Sequence, residues 1–460
     1  MVILQVFVNF RKVNFKFLSL IDFLTSQVYM VTQVLIRSFG CSANTADSEV
    51  LAGCLSQAGF QLSASESDAD VIIYNTCAVK GPTENRIINA MKQAPKGKKL
   101  IVAGCLPMIS FERLQREVPF DGAVGPSTGN RMVDVVTRVA AGEKVVELSS
   151  FNYKPELDLP RVKSNPIVSI VPINFGCLGS CAYCCVVYAR GHLRSYSIKE
   201  VVDRVEKDFA AGAKEFWLTS QDTACYGKDL HTNLSELLVA LGGLQGDFKV
   251  RVGMMTPNLV TDMQSWLIYA FESPKIFKFL HLPVQSGDDT VLQYMRRFYT
   301  VEEFKGIVQT FRTDFPKLTL ATDVIVGFPG ETAKSFENTL NLLKEVKPDV
   351  TNVSKFFARP KTAAAKMKDI VVDRDEIKRR STIAADLVKQ ISLDRNQRWV
   401  GWVGEVLIDE KGKVEGSLIG RNFAYKPIAV KSDDNLMGKN VRVEVVEASA
   451  TYLKGIIVNH

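Results

Sequence analysis

A regular alternation of short apolar runs with amphipathic helical stretches limits what this chain can fold into more than any other feature. Between residues 167 and 357 six runs of strand length follow one another: IVSIVPIN (167–174), EFWLTS (215–220), KVRVGMM (249–255), IFKFLHL (276–282), LTLATDVIVGF (318–328) and VTNVSKFF (351–357). Such runs, separated by helical periodicity, read as parallel strands covered by crossover helices. Six β/α units are fewer than the eight of a closed barrel, so the expected form is α/β: a partial, TIM-like (β/α)6 barrel with its cleft at the carboxyl ends of the strands. Two helix starts carry capping boxes, Ser197 with Glu200 and Thr300 with Glu303.

The same alternation occurs earlier in the chain, with strands expected at VLIRSF (34–39), DVIIYN (70–75), KLIVAG (99–104) and GAVG (122–125). Residues 30–142 are therefore expected to form an open α/β domain. Residues 143–166 show neither period and contain Pro155, Pro160 and Pro166, which marks a linker. A long polar helix at 373–397 ends the barrel unit, 167–397. From 398 to 460 the texture changes to short strands with glycine turns, the pattern of a small antiparallel β-barrel. A division into three domains suits a chain of 460 residues.

Residues 1–29 are apolar and aromatic, but Arg11, Lys12, Lys16 and Asp22 interrupt every window long enough to cross a bilayer. Because Met30 opens a clean strand pattern, 1–29 read as an extension or a misassigned start, with a weak amphipathic anchor as the alternative. The last residues, GIIVNH, carry no apolar tail, so no membrane partner is expected. The nine cysteines are too sparse for a disulfide-stapled secreted domain, and no signal peptide is visible; the expected compartment is the reducing cytoplasm. Hydrophobic residues at 46% and charged residues at 23% exclude a disordered or fibrous chain. The net charge of +7 suits a polyanionic partner but is thinly spread.

Cysteine placement carries the chemistry. Cys177, Cys181 and Cys184 sit on one short loop directly after the first barrel strand. Three thiolates can hold three corners of a four-iron cluster and leave the fourth iron open, where S-adenosylmethionine (SAM) can chelate and, on accepting an electron, break homolytically. The rival reading is a zinc site, which wants four closed ligands, and no histidine lies near with suitable spacing. Cys41, Cys77 and Cys105 each follow the carboxyl end of an N-terminal strand, and in an open parallel sheet those ends converge on one crevice. A second three-cysteine cluster is the better reading, with chance or core packing as the alternative. Cys54, Cys185 and Cys225 read as structural.

These residues also carry a resemblance. Gly40, Cys41, Asn44, Asp47, Ser48 and Glu49, then Asn75, Thr76, Cys77 and Val79, then Gly104 and Cys105, are similar to the N-terminal cluster motifs of the methylthiotransferase family of radical-SAM enzymes. Arg190–Gly191, Gln221–Asp222, the run His281 to Gly287, Met295 with Arg297, Tyr299 and Thr300, and Asp323 with Gly327, Gly330 and Glu331 resemble the family's barrel motifs. The C-terminal segment resembles the TRAM module. The resemblance implies two 4Fe–4S clusters, one on each triad, and two uses of SAM: methyl donation to sulfur, and radical abstraction of hydrogen from a substrate carbon. It also implies an electron donor of the flavodoxin or ferredoxin type; it names no sulfur donor. The stretches Thr219 to Gly227 and Tyr188 to Leu193 look like the archaeal and eukaryotic-type branch, which modifies carbon 2 of N6-threonylcarbamoyladenosine beside the anticodon of tRNA. Related branches act on isopentenyladenosine or on a ribosomal-protein side chain, and a non-enzymatic alternative is an RNA-binding iron–sulfur sensor.

Several residues keep two readings. Gln221, Asp222 and Gln285 stand at carboxyl ends of barrel strands, where SAM contact outweighs a structural role. The run from Gly327 to Glu331 is a SAM contact or a tight strand-to-helix turn. Asn44 and Asp47 serve the cluster or cap a helix. In the last segment Lys and Arg exceed Asp and Glu by only one, so RNA binding there rests on the shape and on Trp399, Trp402, Phe423, Tyr425 and Tyr452, about half of which belong to the core.

Overall fold

The computed structural model describes residues 31–79, 81–148 and 153–458, and the reading of residues 1–29 lies outside them. The N-terminal unit is a parallel sheet of β1 (Gln33–Ser38), β2 (Gln61–Leu62), β3 (Val71–Thr76), β4 (Lys99–Gly104), β5 (Gly122–Val124) and β6 (Val145–Glu147), in the order β2-β1-β3-β4-β5-β6. Its central strands β3 and β4 carry the apolar runs VII and LIVA because both of their faces are covered. Val71 and Ile73 pack with the helices Ser42–Gln57 and Met132–Ala140, whereas Ile72 and Tyr74 pack with Gly81–Lys92 and Phe111–Glu117.

The central unit is an arc of β7 (Val168–Pro172), β10 (Glu215–Thr219), β11 (Lys249–Val252), β12 (Phe279–His281), β13 (Thr319–Val326) and β14 (Val350–Lys355). A short antiparallel pair, β8 (Asn174–Phe175) and β9 (Arg194–Ser195), closes the loop between β7 and β10. All the pairings in the arc are parallel, and the two three-stranded halves join through a bridge between Val250 and Ile276. Both expected capping boxes are present, since local side chains satisfy the free amides of the first turn. The last helix, Arg374–Gln397, is capped by Asp373, whose side chain accepts from the amides of Asp375 and Glu376.

The stretch read as a linker is different. It begins with β6, which extends the N-terminal sheet, and continues as a strap fixed to both units. Glu49 accepts from the Ser164 amide at 2.9 Å and hydroxyl at 2.7 Å, and the Glu49 carbonyl accepts from the Val162 amide at 3.0 Å. On the barrel side, Leu157 joins the core and Arg204 donates to its carbonyl. A segment held by distant side chains needs no period of its own, so the sequence pattern missed it.

The C-terminal barrel closes in the order β15-β16-β17-β19-β18, from β15 (Val403–Lys411), β16 (Ser417–Arg421), β17 (Pro427–Lys431), β18 (Asn440–Ala448) and β19 (Leu453–Ile457). Every pairing is antiparallel except β17 with β19. It is joined to the arc through buried charge. Lys426 donates to Asp349 at 2.9 Å and to Asn396 at 2.8 Å, and Arg395 donates to the same Asp349.

Beside that joint lies a carboxylate pair. Glu215 is fully buried, its Oε1 accepts from Trp217, and it faces Asp409, which Arg421 also holds. Burial and the neighbouring Asp409 push the Glu215 carboxyl up to about 8. Because the folded value is raised, its stability contribution is full below the ordinary carboxylate range and disappears as pH rises through about 8. Melting temperature should therefore fall from about pH 5 to about pH 9, and Glu215→Gln should flatten that fall. Parallel thermal scans across pH check this; identical slopes for both proteins would refute it.

Candidate active site

The first site is the loop after β8. An added Cβ on Gly179 would lie 3.2 Å from Cys177 Sγ and 3.7 Å from Cys181 Sγ, so one glycine separates two thiols. Each of the three sulfurs faces an N–H donor. The Gly179 amide lies 3.1 Å from Cys177 Sγ, the Val186 amide 3.4 Å from Cys184 Sγ, and Arg297 Nη1 3.2 Å from Cys181 Sγ. Such donors favour thiolate over thiol. Cys225, read as merely structural, donates its thiol to the Asp222 carbonyl at 3.0 Å and lies against this loop, where its proximity lowers the Cys177 thiol; burial pushes Cys184 up.

The second site lies where β1, β3 and β4 end. Gly40, at φ +120°, allows the chain before Cys41 to pass Cys77: a Cβ there would stand 2.7 Å from Cys77 Cβ. Asn44 joins the two strand ends, since its Nδ2 donates to the carbonyls of Phe39 at 2.8 Å and Thr76 at 2.9 Å. The Val79 amide lies 3.4 Å from Cys77 Sγ, the same spacing of two residues seen at Cys177 and Cys184. Burial pushes Cys105 up to about 11, opposed by the charge of Arg190. Cys77 is also raised by burial and by its neighbour Cys41.

Arg190 joins the two sites. It ends the helix Val186–Arg190 beside the loop triad and enters the N-terminal unit, 4% exposed. Its Nη2 donates to Asp47 at 2.7 Å and to Asn44 at 2.9 Å, and its Nη1 to Ser127 at 3.2 Å. Burial alone would lower its pKa, but Asp47 and the thiols of Cys105 and Cys41 outweigh that and hold the charge. Asn44 and Asp47 are therefore not a helix cap; the cap position is Cys41, whose side chain makes no capping bond to a backbone amide. Cys185 fills the seam between the units, its Sγ 3.5 Å from the Ala78 carbonyl. A second crossing is made by Arg359, which reaches Glu84 and Ser110; no spacing in the sequence signals it.

The expected SAM contacts divide. Gln221 carries a buried Oε1 with no hydrogen-bond partner, an acceptor without a donor at the mouth of the arc. Gln285 is held at φ +68° by parallel bridging to Val324, a costly conformation for a residue with a side chain. Asp222 caps the turn Thr223–Cys225 and also accepts from the Thr256 amide at 3.2 Å. Glu331 departs from expectation: its carboxylate accepts from the Gly327 amide at 3.1 Å and from Arg380 at 2.7 Å, so it holds the Gly327 turn instead of presenting a free carboxylate. In the C-terminal barrel Trp399 is core and Tyr425 packs against Phe277 and Phe279, whereas Phe423 and Tyr452 stay exposed.

Among the described residues no three His, Cys, Asp or Glu side chains close on a single metal ion. A cluster that takes one thiolate per iron requires no such convergence, and thiols already facing N–H donors suit it. Family models match in three stretches: uncharacterized protein family UPF0004 over residues 33–125, the radical SAM superfamily over 171–343, and the TRAM domain over 397–458. The fold is similar to that of the radical S-adenosylmethionine methyltransferase TsrM of Kitasatospora setae, solved with tryptophan and a SAM analog. The TM-score is 0.53 at 13% identity, over 73% of this chain and 75% of that one. A cysteine loop at the mouth of a six-stranded β/α arc thus defines a radical SAM protein, a class that works with SAM and a 4Fe–4S cluster.

Relatives narrow the class. The probable threonylcarbamoyladenosine tRNA methylthiotransferase of Pyrococcus abyssi is 39% identical over 93% of this chain and 100% of its own length. That of Methanothermobacter thermautotrophicus is 40% identical over 92% and 98%, and the human threonylcarbamoyladenosine tRNA methylthiotransferase 35% over 92% and 74%. The chain belongs to the threonylcarbamoyladenosine tRNA methylthiotransferase family.

Replacing Arg190 by Ala leaves Asp47 buried without its partner, a change that costs about 3–5 kcal/mol. Chemical denaturation should show a loss of that order, and less iron should be retained. A loss near zero would mean the two units are joined by other contacts.

Proposed function

We propose that this chain methylthiolates carbon 2 of N6-threonylcarbamoyladenosine next to the anticodon of tRNA, using SAM both as methyl donor and as radical source. The observation that carries the reading is the pair of thiol triads, each with N–H donors at sulfur, coupled through Arg190. Family membership supplies the substrate. Cys177, Cys181 and Cys184 would hold one 4Fe–4S cluster, and Cys41, Cys77 and Cys105 a second. When bound, the loop cluster supplies one electron that cleaves SAM to a hydrogen-abstracting radical.

The rest is done by the chain. Arg297 and the amides of Gly179 and Val186 orient the loop sulfurs and would stabilise the charge they carry as ligands. Gln221 offers its free Oε1 to the ammonium of SAM, and the Gln285 and Gly327 backbones border the same mouth. Glu331 and Arg380 support Gly327 from behind. Electrons arrive from a donor of the flavodoxin or ferredoxin type. The C-terminal barrel grips the RNA through Phe423 and Tyr452.

Anaerobic reconstitution should give about eight irons per chain, the content of two four-iron clusters. With dithionite, SAM and tRNA lacking the modification, the chain should yield deoxyadenosine and a methylthio nucleoside, read by chromatography and mass spectrometry. Changing Cys41, Cys77 and Cys105 to Ala should preserve deoxyadenosine and abolish methylthiolation; changing the loop triad should abolish both. Methylthio product on isopentenyladenosine alone, or none on any tRNA, would overturn the substrate. Methylthiolation surviving loss of the N-terminal triad would overturn the second cluster.

A further inference from the structure

The loop triad is flanked by a surface that the reading above leaves unused. From Met295 to Tyr299 the side chains alternate: Met295, Arg297 and Tyr299 are buried, while Arg296 and Phe298 face outward. The buried members fix the segment. Arg297 donates to Cys181 Sγ at 3.2 Å and to the Tyr299 hydroxyl at 3.1 Å, and the Tyr299 hydroxyl donates to the Val284 carbonyl at 2.8 Å. Phe298, at 71% exposure, is the most exposed large hydrophobic side chain among the described residues. A phenyl ring left in water contributes almost no apolar burial to the fold.

A second segment meets the same place. Residues 356–373, between β14 and the last helix, form a long connection whose only regular piece is the turn Ala364–Lys366. Long connections in compact domains are usually functional. This one is pinned at Arg359 to Ser110, at Ala364 to the Ala182 carbonyl at 2.8 Å, and at Ile370 to the Gly330 amide at 2.8 Å. Ala182 lies within the cysteine loop, and its own amide donates to the Met295 carbonyl at 2.9 Å. One residue of the cysteine loop therefore holds both segments by its two backbone groups. Lys361, Lys366 and Lys368 on the long connection are exposed, as is Arg296, and none of the four forms an ion pair with a described residue.

We infer that this rim, which carries Arg296 and Phe298 on one segment and Lys361, Lys366 and Lys368 on the other, binds the unpaired nucleotides that flank the reacting base. The phenyl ring stacks on a base and the cations take the adjoining phosphates. An exposed aromatic and unpaired cations on adjoining segments are the combination that recognises single-stranded nucleic acid, because every base has a π-face and every linkage a charge. A paired helix presents no free base face to the ring. The inference rests on the proposed RNA substrate and adds a contact separate from the C-terminal barrel.

The test uses the full-length reconstituted protein and a fluorescent anticodon stem-loop carrying threonylcarbamoyladenosine, with a fully paired duplex of equal length as control. Anisotropy titration should show Phe298→Ala weakening stem-loop binding about 5- to 150-fold, the range for one lost base stack, with little change on the duplex. Phe298→Trp should restore it. Changing Lys361, Lys366 and Lys368 together to Gln should reduce the slope of log affinity against log salt by about two, since each phosphate contact contributes about 0.7. Wild-type stem-loop affinity in Phe298→Ala, or an unchanged salt slope in the lysine variant, overturns the surface. If these shifts appear while the wild-type chain makes no methylthio product, the surface stands and the proposed reaction fails.

Discussion

The buried guanidinium of Arg190 ties the two thiol sites of this molecule together. Burying an arginine costs several kcal/mol in lost hydration, and the cost is offset here only because Asp47, Asn44 and Ser127 surround Arg190 on the far side of a domain boundary. The loop carrying one triad is thereby fixed to the helix that begins at the other. The charge also faces Cys41 and Cys105, so the residue that sets the distance between the two sites tunes the electrostatics of one of them. A purely apolar seam would have joined the units without doing the second task.

The thiols show a balance of opposing effects. Burial disfavours their charged forms and raises Cys77, Cys105 and Cys184. Backbone amides two residues on, together with the two arginines, work in the other direction. Thiols poised this way stay protonated when bare and give up protons to a metal group, which is how burial is reconciled with ligation.

Much of this was legible in sequence where the physics is local. Strands buried on both faces read as continuous apolar runs, capping boxes are complete within four residues, and a cysteine directly after a strand lies at a sheet's carboxyl edge by geometry. Residues whose partners are remote were not legible in this way. Asn44 and Asp47 looked as much like a helix cap as a site because Arg190 lies more than a hundred positions away. The strap at 153–166 has no period because Glu49 and Arg204 hold it, and Glu331 looked like a ligand because Arg380 could not be placed beside it. Cys225 gave no signal at all until the fold brought it to Cys177.

The joint around Asp349 has a mechanical consequence. Lys426 comes from the C-terminal barrel, Arg395 and Asn396 from the last helix, and Asp349 from the residue before β14 in the arc, and they meet out of water. Rotating the small barrel away would strand at least one charge in a low-dielectric seam, so the barrel is set rigidly on the arc and does not swing on a hinge. Its outer face and the mouth of the arc therefore act as the two jaws of a caliper with a fixed gauge. A polymer that touches both is measured by length and curvature before any chemical group on it is read.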